Sequence, residues 1–486
     1  MEKATTRVVA SNLIWRLLER FGAQGVTFIV SIVLARILDP KVYGTVAIIT
    51  VFTTILQVFI DSGLGNALIQ KKDADNLDFS SVFYFNIIMC LALYAIMFFT
   101  APLIAIFYNK PELTSLVRVL SLTLIISGIK NVQQAYVSRN MMFKRFFFAT
   151  IGGTIGAAVL GIWMAYQGLG VWALITQNLF NATVDTIILW VTVKWRPTRA
   201  FSFQRLKVLF SYGWKLLLSS LLEVGYNDLR SLIIGKIYSS EDLAFYNRGE
   251  QFPKLIVGNI NASIDSVLLP TMSSQQDQKD VVRSMTRRAI KTSSYLMMPL
   301  MTGLAVCANQ IVSLILTDKW LPAAFFLRIF CFTFAFYPIH TANLNAIKAM
   351  GRSDLFLKLE LLKKIIGIVS LVITMFISVK AIAISLLVTS LTSQIINSWP
   401  NKKLLNYHYF DQLKDMLPQI LLSIAMGFVV YCISFIGLSS LITLIIQIPL
   451  GAIVYIGGSK LFHIDSYDYC VGIIKGYLKK KKEKKE

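Results

Sequence analysis

Charge is what this sequence has least of. Asp, Glu, Lys and Arg make up 15% of the 486 residues and hydrophobic residues 55%, where a soluble protein carries about 25% charged residues. A chain so poor in charge cannot cover its apolar surface in water, which excludes a soluble globular protein. Cysteine is also scarce. Four of the five (Cys90, Cys307, Cys331, Cys432, Cys470) lie inside apolar segments as small hydrophobes, which excludes a disulfide scaffold. The three histidines, His340, His408 and His463, are too dispersed for a metal site. No G-x-x-x-x-G-K-[ST] loop is present, so the chain is not expected to hydrolyse nucleotide. Asp73-Ala74-Asp75 imitates a D-x-D motif, but in a ten-residue loop with no catalytic domain. No cofactor is expected, and a cleavable signal peptide is not, because Arg16, Glu19 and Arg20 interrupt the first apolar run.

Long apolar runs are what the sequence has in abundance. Fourteen can be read: 10–36, 42–69, 80–108, 113–138, 146–167, 170–194, 210–238, 243–271, 285–317, 321–350, 356–378, 380–400, 416–436 and 438–461. Each is long enough to cross ~30 Å of hydrocarbon at ~1.5 Å per residue. The expected class is an all-α polytopic membrane protein of about 14 transmembrane helices. The net charge of +22 is then a topology signal rather than a nucleic-acid signal. Of the 48 basic residues, 33 fall on one side, whereas the opposite loops hold only Lys41, Lys110, Lys319 and Lys380. This asymmetry predicts that both termini are cytoplasmic. The lysine tail, Lys479 to Lys485, suits anionic lipid or plain solvation. Trp172 and Trp320 at outer span ends, with Trp195, Trp214 and Trp399 at inner ones, are expected to form an interfacial belt.

An internal repeat organises the chain. Residues 11–69 and 211–269 resemble each other at a constant offset of 200: SIVLAR (Ser31 to Arg36) matches SLIIGK (Ser231 to Lys236), and Asp61 falls opposite Asn261. Six spans separate the copies, so the repeat is parallel. Two six-helix lobes plus two extra C-terminal helices are expected. The divisions are 1–195 for the N-terminal lobe, 196–209 for a basic cytoplasmic connector and 210–400 for the C-terminal lobe. Residues 401–461 are two additional helices of little charge, and 462–486 a basic tail. Lobes related in this way are a transporter architecture with the substrate path between them.

Charges within spans concentrate in the first two helices of each lobe: Arg16, Glu19 and Arg20; Asp61; Lys215, Glu223, Asp228 and Arg230; Arg248, Glu250, Lys254 and Asp265. A central charge costs about 2.5–3.5 kcal/mol on insertion scales, so each needs a partner or water. Helical spacing puts Arg16 and Arg20 on one face with Glu19 in reach of either. It also puts Glu223, Asn227 and Arg230 on one stripe, and Glu250, Lys254, Asn261 and Asp265 on another. A water-filled cleft of both signs, lined by spans 1, 2, 7 and 8, is expected. Lys130, Gln133, Gln134 and Asp185 fit helix glue or cavity lining equally, and Glu223 and Asp228 fit a static pair or a titrating role.

The segment YNDLRSLIIGKIYSSEDLAFYNRGEQFPKL (Tyr226 to Leu255), with SIVLARILDPKVYG (Ser31 to Gly44) before it, resembles the repeated signature of Wzx-type polysaccharide exporters. These are flippases of the multidrug/oligosaccharidyl-lipid/polysaccharide superfamily, and the chain looks most like their colanic-acid-exporter branch. The resemblance implies translocation of an undecaprenyl-diphosphate-linked oligosaccharide repeat unit across the bacterial cytoplasmic membrane by alternating access. It also implies a cationic cavity, polysaccharide polymerase and assembly proteins as candidate partners, and no enzymatic step. Arg16, Arg20 and Arg248 occupy the family's basic positions; Lys215 and Arg230 are added from helical position. Glu19, Asp61, Glu223, Asp228, Glu250 and Asp265 are the cleft acids, among which a coupling H⁺ or Na⁺ is sought. A multidrug cation antiporter of the same superfamily and a membrane glycosyl polymerase are the competing readings.

Overall fold

The structure is a computed structural model that describes residues 2–61 and 63–483; the side chains of Lys3, Arg7 and the tail lysines Lys479 to Lys485 lie outside the described part. Among the described residues every regular element is helical, as the sequence predicts. The chain divides into two compact units, Met1–Ala244 and Phe245–Glu486.

The first unit holds α1 (Glu2–Ile37), α2 (Pro40–Asp61), α3 (Leu64–Gln70), α4 (Asn76–Phe107), α5 (Leu113–Leu120), α6 (Leu122–Arg139), α7 (Phe143–Tyr166), α8 (Val171–Thr192) and α9 (Phe203–Ile237). Helix α1 packs on α7, α7 on α8, α4 on α6, and α9 on α2. Helix α10 (Ser240–Ser273) crosses into the second unit. There follow α11 (Lys279–Val306), α12 (Ala308–Leu316), α13 (Ala323–Ala335), α14 (Tyr337–Ala349), α15 (Ser353–Thr374), α16 (Val379–Leu405), α17 (Tyr409–Ile433), α18 (Ser440–Leu461) and α19 (Asp465–Glu483). The offset of 200 survives in the element boundaries: α1 and α9 end at Ile37 and Ile237, and the next helices begin at Pro40 and Ser240.

Each expected span coincides with one helix or two consecutive ones, but the count of fourteen is not reached. Ten segments among the described residues are long and apolar enough to cross a membrane, eleven if α11 and α12, bent by 67° at their junction, form one span. The shortfall has a chemical cause. Helix α8 carries Gln177, Asn178, Asn181 and Asp185; α9 and α15 carry too many charges, among them Lys215, Glu223, Lys358 and Glu360. Large apolar side chains stay exposed on the other helices, including Phe99, Ile106, Val159, Phe428 and Ile453, as hydrocarbon solvent allows.

Hydrogen bonds between helices tie polar side chains together inside each unit, since an unpaired polar group in an apolar medium costs several kcal/mol. In the second unit Asn343 on α14 exchanges hydrogen bonds with Gln412 on α17 (2.9 and 3.0 Å) and accepts one from Asn401 on α16 (2.7 Å). His340 pairs with Asn397 at 3.0 Å. Helix α17 is therefore tied into the second unit, and α19 begins with Asp465 bonded to Lys291 on α11 (3.0 Å).

The segment between α8 and α9, expected as a basic connector, is laced to the start of α4. The Trp195 indole donates to Asn76 (2.6 Å), Ser80 meets Thr198 (3.1 Å), and the Ser202 N–H donates to Ser81 (2.9 Å). Trp195 packs in an apolar cluster with Phe79 and Phe83, and Trp320 is fully buried. These two indoles are core residues rather than members of an interfacial belt, because each is walled by aromatic side chains, Phe79 and Phe83 for Trp195 and Phe245 for Trp320.

At the start of α4 the buried Asp78 carboxylate accepts from Lys71 (2.6 Å) and lies 3.6 Å from Arg205. The Asp78 backbone N–H, with the Arg205 guanidinium at 2.6 Å, holds the Asp75 carboxyl below its ordinary value. That contribution is complete above the usual carboxylate range and fades only as pH falls through the lowered value. Asp78→Asn is expected to remove about 2 kcal/mol, the worth of a hydrogen bond to a charged group. Earlier thermal unfolding of the detergent-purified protein, with faster proteolysis at 196–202, is the check.

Candidate functional site

The first unit contains a cavity of 420 Å³ between α2, α6 and α9. Thr53, Thr54, Gln57 and Asp61 line it from α2, Thr123 from α6 and Ser220 from α9. Asp61 is the last residue of α2, where the chain breaks before α3. The break allows a close crossing: a Cβ on Gly213 of α9 would come within 2.9 Å of the Gly63 carbonyl carbon. The Asp61 carboxylate accepts from Gln57 Nε2 at both oxygens (3.1 and 3.0 Å) and from Asn131 Nδ2 (3.4 Å). Asn131 in turn accepts from Asn86 on α4 (3.3 Å). A polar relay thus runs from α4 through α6 to the cavity wall. In the sequence its two ends are isolated polar residues in apolar helices; Gln57, four residues before Asp61, is a local signal for the Asp61 end alone.

The other predicted residues fall in separate places. Arg16 pairs with Glu19 (2.9 Å) and its guanidinium lies 5.7 and 5.5 Å from the Phe143 and Phe146 rings of α7. Glu19 is also 3.5 Å from the Thr150 hydroxyl. Arg20 is exposed and makes no ion pair among the described residues. On α9, Lys215 and Glu223 are exposed and also make no ion pair among the described residues. Asp228 is half-buried. Arg230 is 6% exposed, 5.5 Å over the Tyr226 ring, with its Nε lacking a hydrogen-bond partner. Lys130 on α6 and Asp185 on α8 pair with each other at 2.9 Å and join those helices, and Gln133 donates to the Trp195 carbonyl, tying α6 to the segment between α8 and α9.

In the second unit Arg248 is 7% exposed, bonds to Gln251 and lies 5.5 Å over the Trp320 ring. Glu250 pairs with Lys254 (3.0 Å), and Asp265 accepts from Asn345 on α14 (2.7 Å). The stripe read on this helix therefore divides into a local pair and an interhelical bond.

Residues 33–325 match the model of a family described as polysaccharide biosynthesis protein. The chain belongs to that family. It is 26% identical over 308 residues to the teichuronic acid biosynthesis protein TuaB of Bacillus subtilis, covering 62% of this chain and 63% of TuaB. It is 24% identical over 315 residues to the succinoglycan biosynthesis transport protein ExoT of Rhizobium meliloti, covering 65% of this chain and 64% of ExoT. The match thus spans just under two thirds of each of these relatives. The lipopolysaccharide biosynthesis protein WzxC of Escherichia coli is 24% identical over 348 residues, 70% of either chain. Among solved structures, the lipid II flippase MurJ in an inward closed conformation matches with a TM-score of 0.74 at 16% identity, over 93% of this chain and 99% of that one. An inward-facing MATE multidrug resistance transporter of the MOP superfamily matches at 0.62, with 16% identity, over 80% and 98%. The chain therefore has the fold of this superfamily, and the resemblance read from its sequence holds.

Proposed function

We propose that this protein is a transporter, not an enzyme, and that it moves a polyprenyl-diphosphate-linked oligosaccharide from the inner to the outer leaflet of the cytoplasmic membrane, with both termini cytoplasmic. The observation that carries this reading is the exposed Arg20 on α1, which makes no ion pair among the described residues, in a chain of the polysaccharide biosynthesis family with the MurJ fold. A diphosphate cannot cross hydrocarbon unshielded. Guanidinium groups stay protonated and offer it paired donors. Arg16 and Arg20 are the residues we assign to the headgroup, with Lys215, Arg230 and Arg248 as further cationic positions. The glycan stays in water while the polyprenyl chain trails in lipid. Net movement requires a ligand that binds the two facing states differently. An H⁺ or Na⁺ gradient acting through an exposed acid such as Glu223 would supply that difference.

The test is deletion of the gene followed by analysis of inner-leaflet lipids. Accumulation of a lipid-linked saccharide, with the cell-surface polymer lost, is the expected result. Ungrown chains with no trapped carrier would point instead to a polymerase. Collapse of all ion gradients in proteoliposomes should stop transport; unchanged transport removes the coupling.

A further inference from the structure

The cavity around Asp61 carries a carboxylate where a flippase of anionic lipids has no use for one at its headgroup site. A diphosphate placed there would meet a like charge, and none of the lining residues is cationic. An acyl or prenyl chain would strand its hydroxyls and amide. We propose that this cavity holds the saccharide part of the substrate and that Asp61 is a specificity-determining residue for it. The inference rests on the lipid-linked oligosaccharide reading and deepens it by separating where the sugar goes from where the diphosphate goes.

The volume of 420 Å³ lies in the ~300–1,000 Å³ range of small-molecule sites. Its chemistry matches a sugar. Sugar hydroxyls donate and accept at close spacing, as do the hydroxyls of Thr54, Thr123 and Ser220 and the amide of Gln57. The Thr54 and Ser220 hydroxyls make no hydrogen bond among the described residues, which leaves both to a ligand. Asp61 is exposed to the cavity, and Gln57 on the same wall and Asn131 outside the lining hold it by three contacts of 3.0–3.4 Å. A carboxylate has about four acceptor positions, so capacity remains for a sugar O–H, the stronger charge-assisted kind of bond. Asn86, fixing Asn131 at 3.3 Å, makes this acceptor preorganised rather than mobile.

The experiment is equilibrium binding by the purified full chain of two probes: the lipid-linked saccharide pool extracted from the deletion strain, and undecaprenyl diphosphate without sugar. The wild type should bind the sugar-bearing pool more tightly. Thr54→Leu and Ser220→Leu, which fill the cavity with apolar bulk, should weaken that binding about tenfold, the cost of truncating a good polar anchor. Asp61→Asn should weaken it about fivefold through the lost charge. All three should leave the bare diphosphate within about twofold. Unchanged binding of the saccharide pool in all three variants, or equal weakening of both probes, overturns the assignment. A wild type that binds both probes equally removes the sugar cavity while leaving the flippase reading intact. A wild type that binds neither removes the flippase reading itself.

Discussion

Arg20→Ala should reduce export of the surface polymer by 10- to 100-fold while protein abundance stays near that of the wild type. The magnitude is that of one charge-assisted contact, about 1.5–3 kcal/mol. The variant is clean because Arg20 is exposed and makes no ion pair among the described residues, so its removal strands no partner. Arg16 is a less direct test. It neutralises Glu19 at 2.9 Å, and Glu19 has only 15% of its side chain exposed. Among the described residues, Arg16→Ala leaves that carboxylate with only the Thr150 hydroxyl. Export and abundance are therefore expected to fall together for Arg16, and export alone for Arg20. Arg20→Lys should retain part of the activity, keeping the charge but losing the paired donors. Export is read as cell-surface polymer, and abundance by immunoblot of the membrane fraction. Abundance that falls in step with export for Arg20→Ala would make it a structural residue.

The contrast between these two arginines shows what could be read from the chain alone. Span position, the helical class and the offset of 200 were legible because hydropathy and periodicity are local properties. The joint presence of Arg16, Glu19 and Arg20 on one turn was legible for the same reason, although two partners for Glu19 were equally open. Contacts between distant segments were not. Asp61 stood out as a charge, but Asn131, 70 residues later, and Ser220 reach its cavity only through the fold. Thr53, Thr54 and Thr123 carry no signal at all, since threonine is ordinary in a membrane helix. Trp195 and Trp320 sat at span ends, where a belt is the natural reading, yet aromatic neighbours from other helices bury them.

The pair read as two additional helices gives the second large expectation. Those helices carry almost no charge in their apolar parts, and nothing in their sequence says how α17 is held. The structure answers with one carboxylate. Asp415, 5% exposed, accepts two hydrogen bonds from Arg287 on α11 (2.7 Å each) and one from the Tyr407 hydroxyl (2.8 Å), and Lys291 lies 3.6 Å away. The bidentate geometry of Arg287 is the strong form of such a pair. Asp415→Ala is expected to cost about 3 kcal/mol, the lower end for breaking a buried pair. The lower end applies because Arg287 is half exposed and can rehydrate, whereas the buried Tyr407 hydroxyl cannot. Arg287→Ala should cost less, since Lys291 is close enough to take over the carboxylate. The double variant should then cost little more than Asp415→Ala alone, because most of what Arg287 contributes passes through that carboxylate. Thermal unfolding of the detergent-purified protein measures all three. Losses that simply add would mean that Asp415 and Arg287 act independently, and that α17 is held to α11 by apolar packing.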